Sequence, residues 1–494
     1  MSAIVEPGAG PAENRLWRVR AAWLAMDRNP SAIAFARSWR GIALIHIAFV
    51  ATLLAGAQIS AVATVMVAAV LVGCALLPAY RLAVMAWGGL AYICLRPFRT
   101  QQQADFAEQM SLLGVESGQF ATLAFQVPMV LLFLLLAYGM MLLQRRRPTS
   151  LLGRRPLLCQ MIALAVLILG GLALTPGTWA HSILWMQVTI LAASFFFLAY
   201  AFADNRTRDA TPTVQRLGFL RPFWAGPSVP FKSPAFLKKF EAADADQLAA
   251  LQLRALKLGI WALLLALAHR LCSALFYDVA ALPTLDGAIG AIAAGEALHP
   301  GLSWTVVAKN FVLNILGFGA LAHTLVAIVR MCGYGIPRHM ARPLSARTVA
   351  EFWNRYVYYF KEVLVDFFFY PAFVRWFKKS PKLRIAFATF CAACVGNLLF
   401  SMIAQAHLFA TVGPLAALAT FQSYAVYALA LATALIVSQL RAARPKPEDG
   451  ALRYHVLPRV NVLLFFALAQ IFADEIGAIG LGERTDFLLH LFGV

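Results

Sequence analysis

The sequence predicts an all-α, polytopic integral membrane protein, and three observations predict it. Of 494 residues, 61% are hydrophobic and only 13% charged, against about 45–50% apolar and about 25% charged in soluble chains. The apolar residues fall in runs that reach the roughly 20 residues needed to cross a hydrocarbon slab about 30 Å thick. The 42 Lys and Arg, against 23 acids, lie mostly between those runs, as retention of positive loops in the cytoplasm requires. Secreted disulfide scaffolds, soluble oxidoreductases and disordered chains are excluded. The +19 balance reads as loop charge and not as a nucleic-acid surface, because no Arg/Gly/aromatic ladder accompanies it.

Residues 1–40 form the first segment. Arg15, Arg18, Arg20, Arg28, Arg37 and Arg40 spread over it, unlike the compact basic-apolar-small order of a cleaved signal peptide, so it is expected to stay in the cytoplasm. Leu16, Trp17, Val19, Trp23 and Leu24 among these arginines suit a helix lying on anionic headgroups.

Residues 41–203 form the N-terminal transmembrane region. A crossing is expected from Gly41 to Val62, then two short ones within Ala63 to Leu95 that meet inside at Arg81, because a single crossing would put Arg145 to Arg147 outside. Phe120 to Leu143 is unbroken and ends on that arginine cluster. Leu157 to Pro176 and Trp179 to Ala203 make a hairpin through a short outer turn.

The remaining region, 204–494, starts with a polar loop from Asp204 to Gln252 that holds Pro222, Pro227, Pro230 and Pro234 and reads as an ordered connection. Leu258 to Phe276 goes out, Asp278 to Leu302 is external, and Ser303 to Met331 returns. Between Cys332 and Lys382, basic residues and histidines interleave with aromatics, including Phe367 to Pro371. That mixture fits neither a simple span nor a soluble loop, and predicts re-entrant helices over 332–382 whose polar backbone is sheltered by protein. Leu383 to Phe409 and Leu415 to Leu440 form a hairpin across Pro414, and Val460 to Ala473 exits after the loop of Arg441, Arg444, Lys446 and Arg453. The expected total is about eleven crossings, with the N-terminus cytoplasmic and the C-terminus external.

Seven cysteines, at 74, 94, 159, 272, 332, 391 and 394, fall in or at the ends of apolar runs and read as small buried hydrophobes. Cys391 and Cys394 make a C-x-x-C, but with no second ligand pair no metal site is expected.

The stretch from Arg330 to Tyr356 resembles the signature of the membrane-bound O-acyltransferases. In the branch that acylates alginate and other bacterial polysaccharides, the pattern runs Arg-Leu-Phe-Gly-Phe, Pro, a polar pair, Pro-Tyr, Ser, then Glu-Phe-Trp-Arg-Arg-Trp-His. Gly333, Pro337, Pro343, Ser345, Glu351, Phe352, Trp353 and Arg355 occupy similar places. Asp366 and Pro371 keep the spacing of the family's following Leu-Arg-Asp-Tyr-Leu-Tyr-Ile-Pro. The tail from His455 to Gly493, with Phe472-Ala473-Asp474, is similar to its closing helix. The resemblance covers about Gly226 to the end. It implies transfer of an acyl group from a cytoplasmic acyl-CoA or acyl-carrier thioester to a hydroxyl of a lipid or polysaccharide, with no bound cofactor. It also implies a bacterial inner membrane and a partner acyltransferase or esterase protein.

Two departures bear on the chemistry. The family's histidine after its tryptophan pair falls on Val357, and that of its Gly-Leu-Trp-His-Gly motif, the general base, aligns with Leu399. Neither Val nor Leu accepts a proton. His407, two turns beyond Leu399 on the same predicted helix, and His323, inside the preceding crossing, are the candidate replacements. Polar residues at membrane depth usually face a cavity or the bundle interior. Asn310 and Asn314 share a helix face, but His323 points to the opposite side of an ideal helix, and a break at Gly317 and Gly319 would be needed to join them. Asn397 is a candidate hydrogen-bond donor to a thioester carbonyl. Each has a plainer reading, as an interfacial histidine or as helix-to-helix hydrogen bonding that serves packing.

Glu351, Trp353, Arg355 and Asp366 are expected to build a cytoplasmic funnel where basic residues, among them Arg338, Arg342, Arg347, Lys361 and Lys378, attract the donor's phosphates. Asn314 joins them as a substrate contact. The leading reading is an O-acyltransferase-like protein; the alternative, which the missing histidines favour, is an inactive relative that binds lipid or scaffolds partners. A secondary transporter is opposed by the absence of repeat symmetry.

Overall fold

The computed structural model describes residues 23–98, 100–115, 118–207, 211–224, 232–441, 448, 450–474 and 479–494. Leu16, Trp17, Val19, Arg15, Arg18, Arg20, Pro227, Pro230, Arg444 and Lys446, on which parts of the sequence reading rest, lie outside them. Among the described residues the chain is helical, with one isolated bridge, Glu241 to Tyr334, and no strand. Among the described residues nine helices are long and apolar enough to cross a bilayer, and one bent pair makes a tenth span if taken together.

The full spans are α1 (Trp39–Gly56), α5 (Gln119–Arg146), α6 (Pro156–Ala173), α7 (Trp179–Asn205), α8 (Ala245–Ser273, continued as a π-turn by Ala274–Val279), α9 (Pro300–Met331), α12 (Pro381–Ala404), α13 (Gln422–Leu440) and α14 (Leu452–Phe472). The bent pair is α2 (Ala61–Leu76) and α3 (Arg81–Leu95), and α4 (Thr100–Leu112) is a polar helix outside the span set. Between α9 and α12 come two short helices, α10 (Val349–Tyr356) and α11 (Tyr358–Leu364).

Their starts follow local chemistry. Side chains of Ser38, Ser60, Thr178 and Asp244 accept the first free backbone N–H groups of α1, α2, α7 and α8, which a helix leaves without internal partners. Pro300 and Pro381 occupy first-turn positions, where the missing N–H costs nothing.

The eleven crossings expected from the sequence are corrected at α2 and α3. With 16 and 15 residues these arms reach only about 24 and 22 Å at 1.5 Å per residue, and they turn through 118° at Pro78. Arg81 does stand at the turn, paired with Glu241 at 3.1 Å and with the Ala242 carbonyl at 3.3 Å. That places the turn beside the Asp204–Gln252 connection, at the end of the bundle that carries Arg145 to Arg147.

The centre of the bundle is α7. Of its 18-residue apolar window 89% is buried, against 17% for α6; Trp185, Phe195, Phe196, Phe197 and Phe202 all point into protein. A helix apolar on every side is an interior helix. The 332–380 segment folds back onto this core. Arg330 grips the Ile336 carbonyl (3.0 Å to Nε), Tyr359 donates its hydroxyl to Pro337 (2.8 Å), and the backbones of His339 and Ala341 pair with Tyr358 and Arg355. Phe352 and Trp353 of α10 are buried, and Phe352 stacks on Phe466 of α14 at 4.0 Å. The part of the segment up to Leu364 is packed against protein, whereas Tyr370, Val374, Trp376 and Phe377 beyond it are exposed.

Two π-helical stretches shape its surroundings, Val365–Phe369 and Cys391–Gly396, the second containing the C-x-x-C. A π-turn inserts one residue per turn and re-aims the side chains around it. Gly396 makes the pairing of the two stretches possible: a Cβ there would lie 2.7 Å from the Phe368 ring.

One further expectation is corrected. The helix of Leu399 ends at Ala404, and His407 sits on a separate short helix, Ala406–Thr411. The break at Gly317 and Gly319 that would be needed to join His323 to Asn310 and Asn314 is absent, as α9 runs unbroken from Pro300 to Met331.

Candidate functional site

The straightness of α9 decides which polar residues can share a space. Asn310 and Asn314 lie on one face and both donate their side-chain amides to Gln470 Oε1 of α14, at 2.9 and 3.1 Å. Beside this trio is a cavity of about 580 Å³. Asn314, Gln470, Gln58 and His269 supply its polar wall, and Phe311, Phe318, Phe352, Trp353, Tyr356 and Tyr427 its aromatic one. Asn314 is exposed although it lies mid-span. His269 belongs to α8 and reaches the cavity because position 317 is glycine: a Cβ there would come within 3.2 Å of the imidazole Nε2.

A second, smaller cavity of about 200 Å³ lies on the other side of α10. Its polar contributors are Asn354, Lys361, Thr389 and Gln439, and the two π-stretches provide Val365, Phe369, Ala392 and Ala393. Thr389 donates to Gln439 Oε1 at 2.7 Å, which fixes the orientation of that amide. Trp353, 8% exposed, is in the wall of both cavities. Its indole stands between a space that reaches His269 and Gln58 and a space that reaches Lys361.

Of the residues singled out in the sequence, Asn314 and Trp353 are brought together here. The others are not. His323 is buried with Nδ1 2.7 Å from the Gly319 carbonyl of its own helix, and it lines neither cavity. His407 is buried with Nε2 3.2 Å from Asp105 of α4, Nδ1 3.4 Å from Gln102, and its ring edge on Trp185. Asn397 is fully buried and accepts the Tyr424 hydroxyl at 2.9 Å.

Glu351 and Arg355 form an ion pair one turn apart. Glu351 also accepts the Arg347 backbone N–H at 2.7 Å, and Arg355 holds Ser345. Together they clamp the 342–349 loop onto α10, so Arg355 is already neutralised and is a positioning residue for Trp353.

Asp366 accepts the Tyr200 hydroxyl (2.9 Å) and the Lys232 ammonium (2.8 Å), which also reaches Glu362 at 2.9 Å. This knot ties the segment to α7. Burial alone would raise the Glu362 carboxyl, but the hydrogen bond and charge of Lys232, together with Lys361, hold it below the ordinary value. The same two carboxylates outweigh burial at Lys232 and keep its ammonium above the usual lysine range.

His269, Gln58 and Gln470 were not among the residues proposed from the sequence. The signal for His269 was present: an ionisable side chain inside an apolar crossing. In the 332–380 segment the buried imidazole of His339 accepts the Tyr359 N–H at 3.1 Å and is driven by burial, and secondarily by His323, down to about 3, so it is neutral at physiological pH. Among the described residues no group of three His, Cys, Asp or Glu side chains is arranged to hold a metal ion.

The arrangement offers an imidazole, amides able to orient a polar ligand, and an apolar surface around both. A comparison with protein-family models finds no match, and a comparison with curated proteins finds none either.

Proposed function

We propose that the chain is a membrane-bound O-acyltransferase that moves an acyl group from a thioester to a hydroxyl of a lipid or polysaccharide. The observation that carries this is Trp353, shared by a cavity holding His269 and a pocket holding Lys361. The sequence resemblance of Arg330 to Tyr356 supports the same reading. The end of the bundle with Arg145 to Arg147 faces the cytoplasm by the positive-inside rule, in the inner membrane of a bacterium.

The donor, an acyl-CoA or acyl-carrier thioester, enters at the Lys361 pocket. Asn354, Thr389 and Gln439 suit the amides of a pantetheine arm, and Lys361 its phosphate. The acceptor hydroxyl occupies the central cavity. His269, in place of His323 and His407, removes its proton as the oxygen attacks the thioester carbonyl. The amide N–H groups of Gln470 and Asn314 stabilise the developing oxyanion. The new C–O bond forms, the C–S bond breaks, and the imidazolium returns the proton to the leaving thiolate.

The test is acyl transfer by purified protein in lipid nanodiscs. His269→Ala is expected to lower turnover roughly 10²–10⁴-fold, the usual contribution of a general base, while His323→Ala and His407→Ala, if folded, stay near the parent. Parent-like turnover by the His269 variant removes the assignment of the base. No turnover by the parent with any thioester returns the chain to the lipid-binding or scaffold reading.

A further inference from the structure

Among the described residues, no Asp, Glu, Lys or Arg lines the central cavity. The two cations nearest in sequence to its polar wall are turned elsewhere. Arg270, next to His269, donates to the Ala55 and Gly56 carbonyls at 3.1 and 2.7 Å. Lys309, just over a turn before Asn314, donates to the Pro283 carbonyl and lies 4.3 Å from the centre of the Tyr277 ring. A carboxylate or phosphate placed in this space would meet no fixed cation at membrane depth, where an unpaired charge is expensive, and only a protonated His269 could answer it.

The polar wall has the opposite character. Gln470 Oε1 already accepts from Asn310 and Asn314. That leaves the Gln470 Nε2 donors, the second Asn314 Nδ2 donor and the Asn314 carbonyl oxygen to meet a ligand. Donors and acceptors in one uncharged array match hydroxyl groups, which both give and take hydrogen bonds. The facing Trp353, Tyr356 and Tyr427 rings offer a flat apolar surface for the C–H face of a ring.

We infer that the ligand of the central cavity is an uncharged polyol, either a neutral glycosyl unit or a glycerol headgroup, and that anionic acceptors are excluded. This rests on the acyltransferase reading only in naming that ligand the acceptor. It sorts the polysaccharide and lipid acceptors by charge.

The experiment titrates full-length protein in nanodiscs with octyl glucoside, octyl glucuronide, dioctanoylglycerol and octylphosphocholine below their micellar concentrations, read by tryptophan fluorescence and calorimetry. Octyl glucoside or dioctanoylglycerol is expected to bind saturably, and which of the two does so identifies the source of the polyol. Octyl glucuronide, in which a carboxylate replaces the hydroxymethyl group of the same ring, is expected to bind roughly fiftyfold more weakly than the glucoside. Asn314→Leu, and independently Asn314→Ala should the first not fold, are expected to weaken the neutral probe roughly tenfold.

Glucuronide or phosphocholine binding as tightly as the neutral probes, or no neutral probe binding, overturns the inference. Thioester turnover is measured on the same preparations. Neutral-polyol binding without turnover removes the transferase reading and leaves the cavity assignment standing. Turnover with a preference for the anionic probe does the reverse.

Discussion

Replacing Trp353 with alanine tests the geometry on which the functional reading stands. The indole is 8% exposed, packs at 6.1 Å against Phe360, and borders cavities of about 580 and 200 Å³. Trp→Ala in a close-packed core costs about 3–5 kcal/mol. Because Trp353 lines both cavities, the lower end, about 3 kcal/mol, is the expected destabilisation. The larger consequence is that the two spaces merge, leaving a water path from Lys361 to His269. Reconstituted vesicles carrying Trp353→Ala should leak protons well above the parent, with Trp353→Phe intermediate; folding is followed by monodispersity in size exclusion. A folded Trp353→Ala protein whose vesicles are as tight as the parent's would refute the view of the indole as a partition.

Lys232→Met removes the cation shared by Glu362 and Asp366. Lys361 and the Tyr200 hydroxyl still contact those carboxylates, so the loss in thermal unfolding should be about 1–2 kcal/mol and not the 3–5 of a fully buried pair. Since the Glu362 carboxyl is held below its ordinary value of 4.5, the stability it confers is present above about pH 4.5 and is lost as pH falls through the lowered value. His339 sets a second pH dependence. Its folded value of about 3 lies below the ordinary 6.5, so the unfolded chain binds the extra proton between those limits. Stability is therefore complete above pH 6.5 and falls by about 1.4 kcal/mol per unit of acidification below it. The slope of melting temperature against pH between 7 and 5 should flatten in His339→Gln.

Much of this was legible in the sequence because burial in lipid leaves composition few choices. The runs containing Phe120 to Leu143 and Trp179 to Ala203 can only be satisfied as helices, and both are helices here. Of the mixture of arginines and aromatics after Cys332, Phe352, Trp353, Tyr359 and Phe360 are buried, while Tyr370, Trp376 and Phe377 are exposed. The failures have local causes. Pro78 marked the turn between α2 and α3, but hydropathy does not measure whether each arm is long enough to cross. Gly317 and Gly319 were compatible with a break, yet a glycine in a packed span also serves close approach, and at 317 it admits the His269 ring. His407 looked like a continuation of the Leu399 helix because nothing in the local sequence announces the break at Gln405. Which polar groups meet across helices, as Gln470 meets Asn310 and Asn314, depends on rotations that one strand of sequence does not encode.

The most direct test of the central claim supplies donor and acceptor on opposite faces of a sealed membrane. Protein is reconstituted into vesicles in a single orientation, with labelled acyl thioester outside at the Lys361 face and a neutral polyol acceptor trapped within. The account predicts labelled ester in the lumen while thioester and acceptor each stay on their own side, with the signal lost in His269→Ala. Label that reaches the acceptor only when both substrates share one face, or that appears equally in the His269 variant, would contradict it.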